Sequence, residues 1–334
     1  YSIKTSMLKI AQIGVGYWGP NLLRNLVTNE NIFVKFAVDR SDERRKFIKN
    51  KYPGIKVTDN TDLIFKDNDI NAVVIATPVR SHFDLTMQAL DSGKHVLVEK
   101  PMATNIEQVR KIGELANKKD LIAMVGHTFL FNNAVRYVKK IIDEGELGDI
   151  RYIYSQRVNL GRIRNDVDAL WNFAPHDISI IQYWLNEPQP LDSTINGMDY
   201  VQKGINDVVF MNIKYPGNIM ANIHVSWLDP HKIRRMTIVG SKKMAVYDDL
   251  ADNKITIYDK GVGQVAILGE QMDFDDQTDC EFIYRSGDKS IPKIKWVEPL
   301  KLEIEHFVDC IIKGVPCIAD VDHAEKVVRI LNMK

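Results

Sequence analysis

The chain has 334 residues, which at about 150 per domain is enough for two domains that each bury a core. Hydrophobic residues make up 45% and charged residues 26%, the balance of an ordinary globular chain, which excludes dominant disorder and a small disulfide-stapled module. Lys plus Arg and Asp plus Glu each total 44, and without a single-sign block there is no field to draw a polyanion, so nucleic acid is not an expected partner.

From residue 8 to about 122, short apolar runs at 8–15, 32–38, 72–76, 94–98 and 121–125 alternate with amphipathic stretches. That alternation predicts successive βαβ units with a parallel sheet, whose strands read as nearly continuous Val/Ile runs because both faces are covered. Helix starts are expected at Ser81 with Asp84 and at Thr104 with Glu107, each spaced as a capping box. From residue 151 the pattern changes to partly alternating runs at 151–158, 193–201, 207–214, 219–227, 234–239, 243–247 and 254–258, which predict an antiparallel sheet with a hairpin at Pro216-Gly217-Asn218. Helices are expected at 175–185, 300–312 and 323–332. The fold class is therefore an α/β Rossmann domain, residues 1–123, followed by an α+β domain, residues 124–334, with a large open-faced, mainly antiparallel sheet. The C-terminal helix is free to pack back on the first domain.

No apolar run reaches the ~18 residues of a membrane span, and residues 1–9 lack a signal-type apolar core. The expectation is a cytoplasmic protein without membrane insertion. Cys280, Cys310 and Cys317 form no C-x-x-C pair and no histidine cluster has zinc spacing, so they read as reduced thiols and no metal is expected.

Gly14-Val15-Gly16-Tyr17-Trp18-Gly19 follows the first strand and opens a helix, as a dinucleotide fingerprint requires: glycines let the backbone approach a pyrophosphate resting on a helix N-terminus. The same glycines also suit a tight strand-to-helix turn that holds no ligand. Asp39 ends the second strand, where a carboxylate accepts hydrogen bonds from ribose hydroxyls and repels a 2′-phosphate. That favours NAD over NADP, although Arg40 beside it could stack on adenine or pair with such a phosphate.

Two further motifs end buried strands: Ala76-Thr77-Pro78-Val79-Arg80-Ser81-His82 and Val98-Glu99-Lys100-Pro101. With the fingerprint they resemble the Gfo/Idh/MocA family of sugar oxidoreductases along essentially the whole chain. The resemblance implies a Rossmann domain paired with an open-faced sheet domain, NAD as cofactor, and Thr77, Pro78, His82 and Glu99 among the cofactor-binding residues with Gly14, Gly16, Tyr17, Trp18, Gly19, Asp39 and Arg40. It places Lys100 near the nicotinamide ribose and the reacting hydroxyl, where an ammonium stabilises a developing alkoxide. It also aligns Asn172 and His176 with an Asp-x-x-x-His pair aimed at the substrate.

Pro175 suits a first helical turn, which would put His176 at a helix N-terminus whose dipole favours the neutral, proton-accepting imidazole. Asn172 cannot ionise, which fits members that oxidise UDP-N-acetylglucosamine or its uronic acid at C3 better than inositol-type dehydrogenases. Arg162 and Arg164, beside Gly161, offer planar paired donors to a diphosphate, or belong to a solvated loop. Trp227 suits sugar stacking or sheet packing, and His127 has no assigned role. The catalytic pair expected is Lys100 and His176, the partner a nucleotide sugar, and the assembly a homodimer or homotetramer. A glycosidase with transient C3 oxidation and a non-catalytic sugar or NAD sensor are the alternatives.

Overall fold

The computed structural model describes residues 7–266 and 280–333, so the first six residues, on which the reading of the chain's start bears, lie outside the described residues. The chain divides into two compact units, one built from residues up to Asn132 together with Val297–Asn332, the other from Asn133–Trp296.

The first unit opens with β1 (Leu8–Ile13), α1 (Gly19–Thr28), β2 (Ile32–Val38), α2 (Asp42–Lys51), β3 (Lys56–Thr58), α3 (Asp62–Phe65), β4 (Ala72–Ile75), α4 (His82–Asp91), β5 (His95–Glu99), α5 (Ile106–Lys119) and β6 (Ala123–Gly126). Its strands lie in the order β3-β2-β1-β4-β5-β6, and every pair is parallel. The order reverses between β1 and β4, the place where a doubly wound sheet opens a crevice at its carboxyl ends. All of β4 and every residue of β1 but Lys9 are buried, which explains their unbroken apolar runs. β3, three residues long, left no run to read.

Both expected capping boxes are replaced by other bonds. Ser81 Oγ donates to the Pro78 carbonyl and shares a hydroxyl–hydroxyl bond with Thr77 Oγ1, both at 2.8 Å, and gives α4 no side-chain cap. Asn105, one residue beyond Thr104, caps α5 by accepting from the Glu107 N–H at 2.8 Å.

The second unit comprises α6 (Asn133–Asp143), β7 (Ile150–Val158), α7 (Ala169–Trp184), β8 (Asp192–Met198), β9 (Val208–Tyr215), β10 (Ile219–Ser226), β11 (Ile233–Gly240), β12 (Met244–Asp248), β13 (Ile255–Ala266) and β14 (Cys280–Ser290). Its sheet runs β14-β13-β12-β11-β7-β10-β9-β8 and is antiparallel except between β7 and β10. The exception follows from the route: α7 carries the chain from β7 to the far edge, and two hairpins bring it back beside β7. The second hairpin turns at residues 216–218, with Gly217 at φ +78° and Asn218 at φ +58°.

Alternation along β10 puts Ala221, Ile223 and Val225 on the buried side against α7, and Met220 and His224 on the other. The open side also carries Tyr152, Met198 and Phe210, whose ring stacks on His224 at 4.2 Å between centroids.

The helix predicted at 175–185 begins earlier, at Ala169, because Asp168 caps it by accepting from the Trp171 N–H at 2.9 Å. The Ala169 N–H is satisfied by the Asn206 carbonyl at 2.9 Å. Pro175 therefore lies inside α7, and the helix-dipole argument for His176 does not hold.

The closing helices, α8 (Pro299–Lys313) and α9 (Val321–Leu331), belong to the first unit, which also extends beyond the break expected at residue 123. α9 packs on α5 and β6, and α8 on α1 and the turn after β6. Among the described residues no helix is long and apolar enough to cross a membrane.

Candidate active site

In the first unit the glycine loop joins β1 to α1. Gly14 has φ +92°, and a Cβ there would lie 2.5 Å from the Ala76 carbonyl oxygen at the end of β4. A Cβ on Gly19 would lie 2.6 Å from the Gly14 carbonyl oxygen, so the outer glycines are demanded by the protein's own packing. Gly16 differs: a Cβ there would meet nothing within 4 Å. Its bare backbone faces open space, which is where a pyrophosphate needs close approach.

Gln12, buried at the end of β1, braces the loop by donating to the Gly14 and Gly19 carbonyls at 2.9 and 2.8 Å. Asp39 Oδ2 accepts from the Val15 N–H at 2.7 Å and Oδ1 from the Ser41 N–H at 2.9 Å. Each oxygen retains a lone pair, so the carboxylate that shapes the loop can still accept from a ribose hydroxyl. Tyr17 and Arg40 are exposed, and Trp18 is partly so. The loop, the open face of Gly16 and the acid at the end of β2 fit a dinucleotide with an unphosphorylated ribose.

Thr77 and Pro78 follow β4, and Lys100 and Pro101 follow β5. His82, expected to contact the cofactor, is buried, with its ring nitrogens 2.8 Å from the Thr77 and Pro101 carbonyls. It ties the two loops together. Burial lowers its pKa more than the carbonyls raise it, and a neutral ring donates to one of them only.

Glu99 turns inward. Its Oε2 accepts from the Lys100 N–H at 3.2 Å, the Trp18 indole donates to the same carboxyl, and the missing side chain of Gly126 leaves it room, since a Cβ there would stand 3.2 Å from the carboxyl carbon. Burial pushes this carboxyl up to about 7, against the opposing pull of Lys100. Glu303, on the apolar face of α8 with Leu300, Ile304 and Phe307, is also buried and accepts from Thr128 Oγ1 at 3.0 Å. Burial, then the charge of Glu99, hold its pKa well above the usual carboxyl range.

His127 is buried edge-on against His323 of α9, with ring centroids 5.1 Å apart. Burial, His323 and Lys100 keep it neutral well below its usual pKa. Lys100 thus lies within electrostatic reach of two buried groups that resist charging, Glu99 and His127. Glu303 and His323 were missed in the sequence, where Glu303 interrupts an otherwise apolar helix stripe.

In the second unit, Asn172 and His176 lie one turn apart on α7, so they share a face, and both are partly exposed. The next residue, Asp177, is buried and bonds Arg157 of β7 through two contacts of 2.9 Å. That bidentate pair locks the helix onto the sheet beside His176.

In the loop after β7, Arg164 binds Asp166 at 2.8 and 2.5 Å, so a diphosphate would compete with a carboxylate for it; Arg162 is exposed. Trp227 is buried with its indole donating to Asp207, whose Oδ2 also accepts from the Tyr200 and Val201 N–H groups at 2.7 Å, so it packs the sheet rather than facing a sugar.

Two family descriptions match the chain: the oxidoreductase family with an NAD-binding Rossmann fold (Gfo/Idh/MocA) over residues 8–127, and the C-terminal domain of the same family over residues 135–246. The NAD(+)-dependent scyllo-inositol 2-dehydrogenase of Bacillus subtilis is 24% identical over 330 residues, 94% of this chain and 90% of that one. The 2,7-anhydro-N-acetylneuraminate hydratase of Mediterraneibacter gnavus is 24% identical over 281 residues, 80% of this chain and 74% of its own. Among solved structures, the UDP-N-acetylglucosamine 3-dehydrogenase of Acidithiobacillus ferrooxidans superposes with a TM-score of 0.80 at 20% identity, covering 98% of this chain and 96% of that one. Two matched domains in the expected order, on a loop built for a dinucleotide, place the chain in the Gfo/Idh/MocA family of NAD(P)-dependent oxidoreductases, with a Rossmann domain that binds NAD.

Proposed function

We propose that the protein oxidises a ring hydroxyl of a sugar to a ketone, at C3 of a UDP-activated N-acetylhexosamine or its uronate, in the supply of sugars for a surface polysaccharide. The observation that carries this reading is Lys100 at the carboxyl end of β5, with a carboxyl beside it that burial raises to about 7, so that much of it is neutral near neutral pH. A neutral Glu99 leaves the ammonium's charge uncancelled, and that charge would stabilise the alkoxide as the hydroxyl proton leaves. His176 would take the proton, Asn172 would orient the sugar by hydrogen bonding, and Asp177 with Arg157 would hold both on α7. Bound NAD supplies the hydride acceptor.

Arg162 and Arg164 are the candidate contacts to the diphosphate, Arg164 by exchanging its bond with Asp166. The open sheet face with Tyr152, Met198, Phe210 and Met220 suits burial against a second copy, in keeping with a cytoplasmic homo-oligomer.

A second reading is transient oxidation with no net redox change, as in a glycosidase or hydratase. The name of the Mediterraneibacter gnavus relative, a hydratase, favours it. Mass spectrometry of UDP-N-acetylglucosamine and its uronate after incubation with protein and NAD, with and without a keto-acid hydride acceptor, separates the two. Loss of two hydrogens supports the dehydrogenase. Gain of water or loss of an aglycone supports the second reading, and intact sugars despite NAD binding refute the assigned substrate. Lys100→Met should abolish turnover while leaving NAD affinity within a few-fold of wild type; retained turnover would remove Lys100 from the chemistry.

A further inference from the structure

Away from the glycine and Glu-Lys-Pro loops, the end of α8 gathers three soft donors. His306 and Cys310 lie one helical turn apart, with Nε2 and Sγ separated by 3.4 Å, and Cys317 returns in the connection to α9. Nε2 and the two sulfurs all lie within 4.8 Å of one another, the one such cluster among the described residues. Around a tetrahedral zinc ion, Zn–S of ~2.3 Å and Zn–N of ~2.0 Å set an S···N separation of about 3.5 Å, close to the value here. A His and a Cys at i, i+4 match neither a C-x-x-C pair nor a His-only cluster, so spacing along the chain does not announce the group.

We infer that His306, Cys310 and Cys317 form a binding site for a thiophilic divalent cation, zinc being the ion to test. Thiolate and imidazole donors select such ions over magnesium or calcium. The surroundings favour a cation: His306 and Cys310 lie on the last turns of the 15-residue helix α8, where the helix dipole is negative, and Asp309 and Asp320 add negative charge close by. Those same charges oppose a thiolate that has no cation beside it.

Binding converts two thiols to thiolates and releases their protons, and the Ile318 N–H, now 3.2 Å from Nε2, must turn away from that lone pair. A fourth position remains for water. The cluster lies beside the Ala319 carbonyl, which accepts from the Val125 N–H of β6 at 2.9 Å, so the ion would pin the α8–α9 connection to the edge of the parallel sheet.

The test uses the full-length protein, reduced and stripped with a chelator, then titrated with zinc against a chromophoric competitor and separately with cobalt. The expected result is one equivalent of zinc per chain, a thiolate-to-cobalt charge-transfer band and a raised unfolding temperature. Cys317→Ser and His306→Gln should each weaken zinc by about a hundred-fold or more, while Cys280→Ser leaves it unchanged. No zinc uptake by the reduced wild-type protein overturns the inference, as does zinc retained by both variants. A Cys310–Cys317 disulfide that forms in air and leaves no zinc affinity after reduction overturns it in favour of a redox pair. The wild-type titration stands whether or not a variant folds.

Discussion

Replacing Glu99 by Gln keeps the side-chain shape and an acceptor oxygen for the Trp18 indole, and removes one titration from the buried cluster. Burial holds the wild-type carboxyl at about 7 in the folded chain against 4.5 for the free group. The folded state therefore binds more protons than the unfolded state between those values, and stability falls as pH rises through the window. A shift of that size corresponds to roughly 3 kcal/mol, absent below pH 4.5 and fully expressed only above pH 7. Glu303, whose pKa is also raised by burial, acts in the same direction, and part of its shift comes from the charge of Glu99. The Gln variant should therefore gain on wild type by about 3 kcal/mol or somewhat more between pH 4.5 and 8. Urea unfolding of the cofactor-free proteins across that range, followed by tryptophan fluorescence and circular dichroism, measures the difference. A wild-type-to-variant difference that stays constant with pH would refute a carboxyl held neutral by burial, and with it the account of why Lys100 keeps its effective charge.

Gly16→Ala should leave the stability of the cofactor-free protein within about 0.5 kcal/mol of wild type yet lower NAD affinity sharply, whereas Gly14→Ala, with a Cβ driven against the Ala76 carbonyl, should lose both; thermal unfolding and NAD titration together separate the roles. Asp39→Asn removes the charge proposed to accept from the ribose and to repel a 2′-phosphate, so the NAD to NADP affinity ratio should fall by about tenfold or more, read by fluorescence titration with each dinucleotide. Asp177→Asn removes the carboxylate charge that faces the buried Arg157 guanidinium and should destabilise the protein by about 3–5 kcal/mol, with Arg157→Met added to it recovering most of the loss; a drop under about 1 kcal/mol in chemical denaturation would show that the pair does not hold α7.

The first sheet was legible because its strands are covered on both faces and its ligand loops are written in consecutive residues. β2 spans the predicted residues, and Gly14, Gly19 and Asp39 have local jobs that spacing reveals. Reading failed where the deciding partner was distant or where several local signals competed. Asp168 and Asn105 outbid the residues expected to start their helices, and Pro175 looked like a helix start because nothing nearby announced Asp168 as the cap. The parallel pairing of β7 with β10 depends on where α7 deposits the chain, which no strand records. His82 and Trp227 carry the side chains of binding residues, but their hydrogen bonds go to the protein itself.

The part of the candidate site hardest to read is supplied by the end of the chain. β6 is the last strand of the parallel sheet, and an edge left bare there would expose the backbone beside the residues that follow it. Instead the Ala319 carbonyl bonds the Val125 N–H, α9 packs on β6 and α5, and α8 packs on the turn after β6. The cover does more than close an edge, because the helices that bury Ile304, Phe307, Val327 and Val328 also bring Glu303 and His323 to the buried groups around Glu99 and His127. Water excluded by that packing is what raises the carboxyl pKa values and keeps His127 neutral. The electrostatic setting of the lysine is thus a property of helices some two hundred residues away in sequence, and a domain boundary drawn from chain order alone separates the lysine from the groups that tune it.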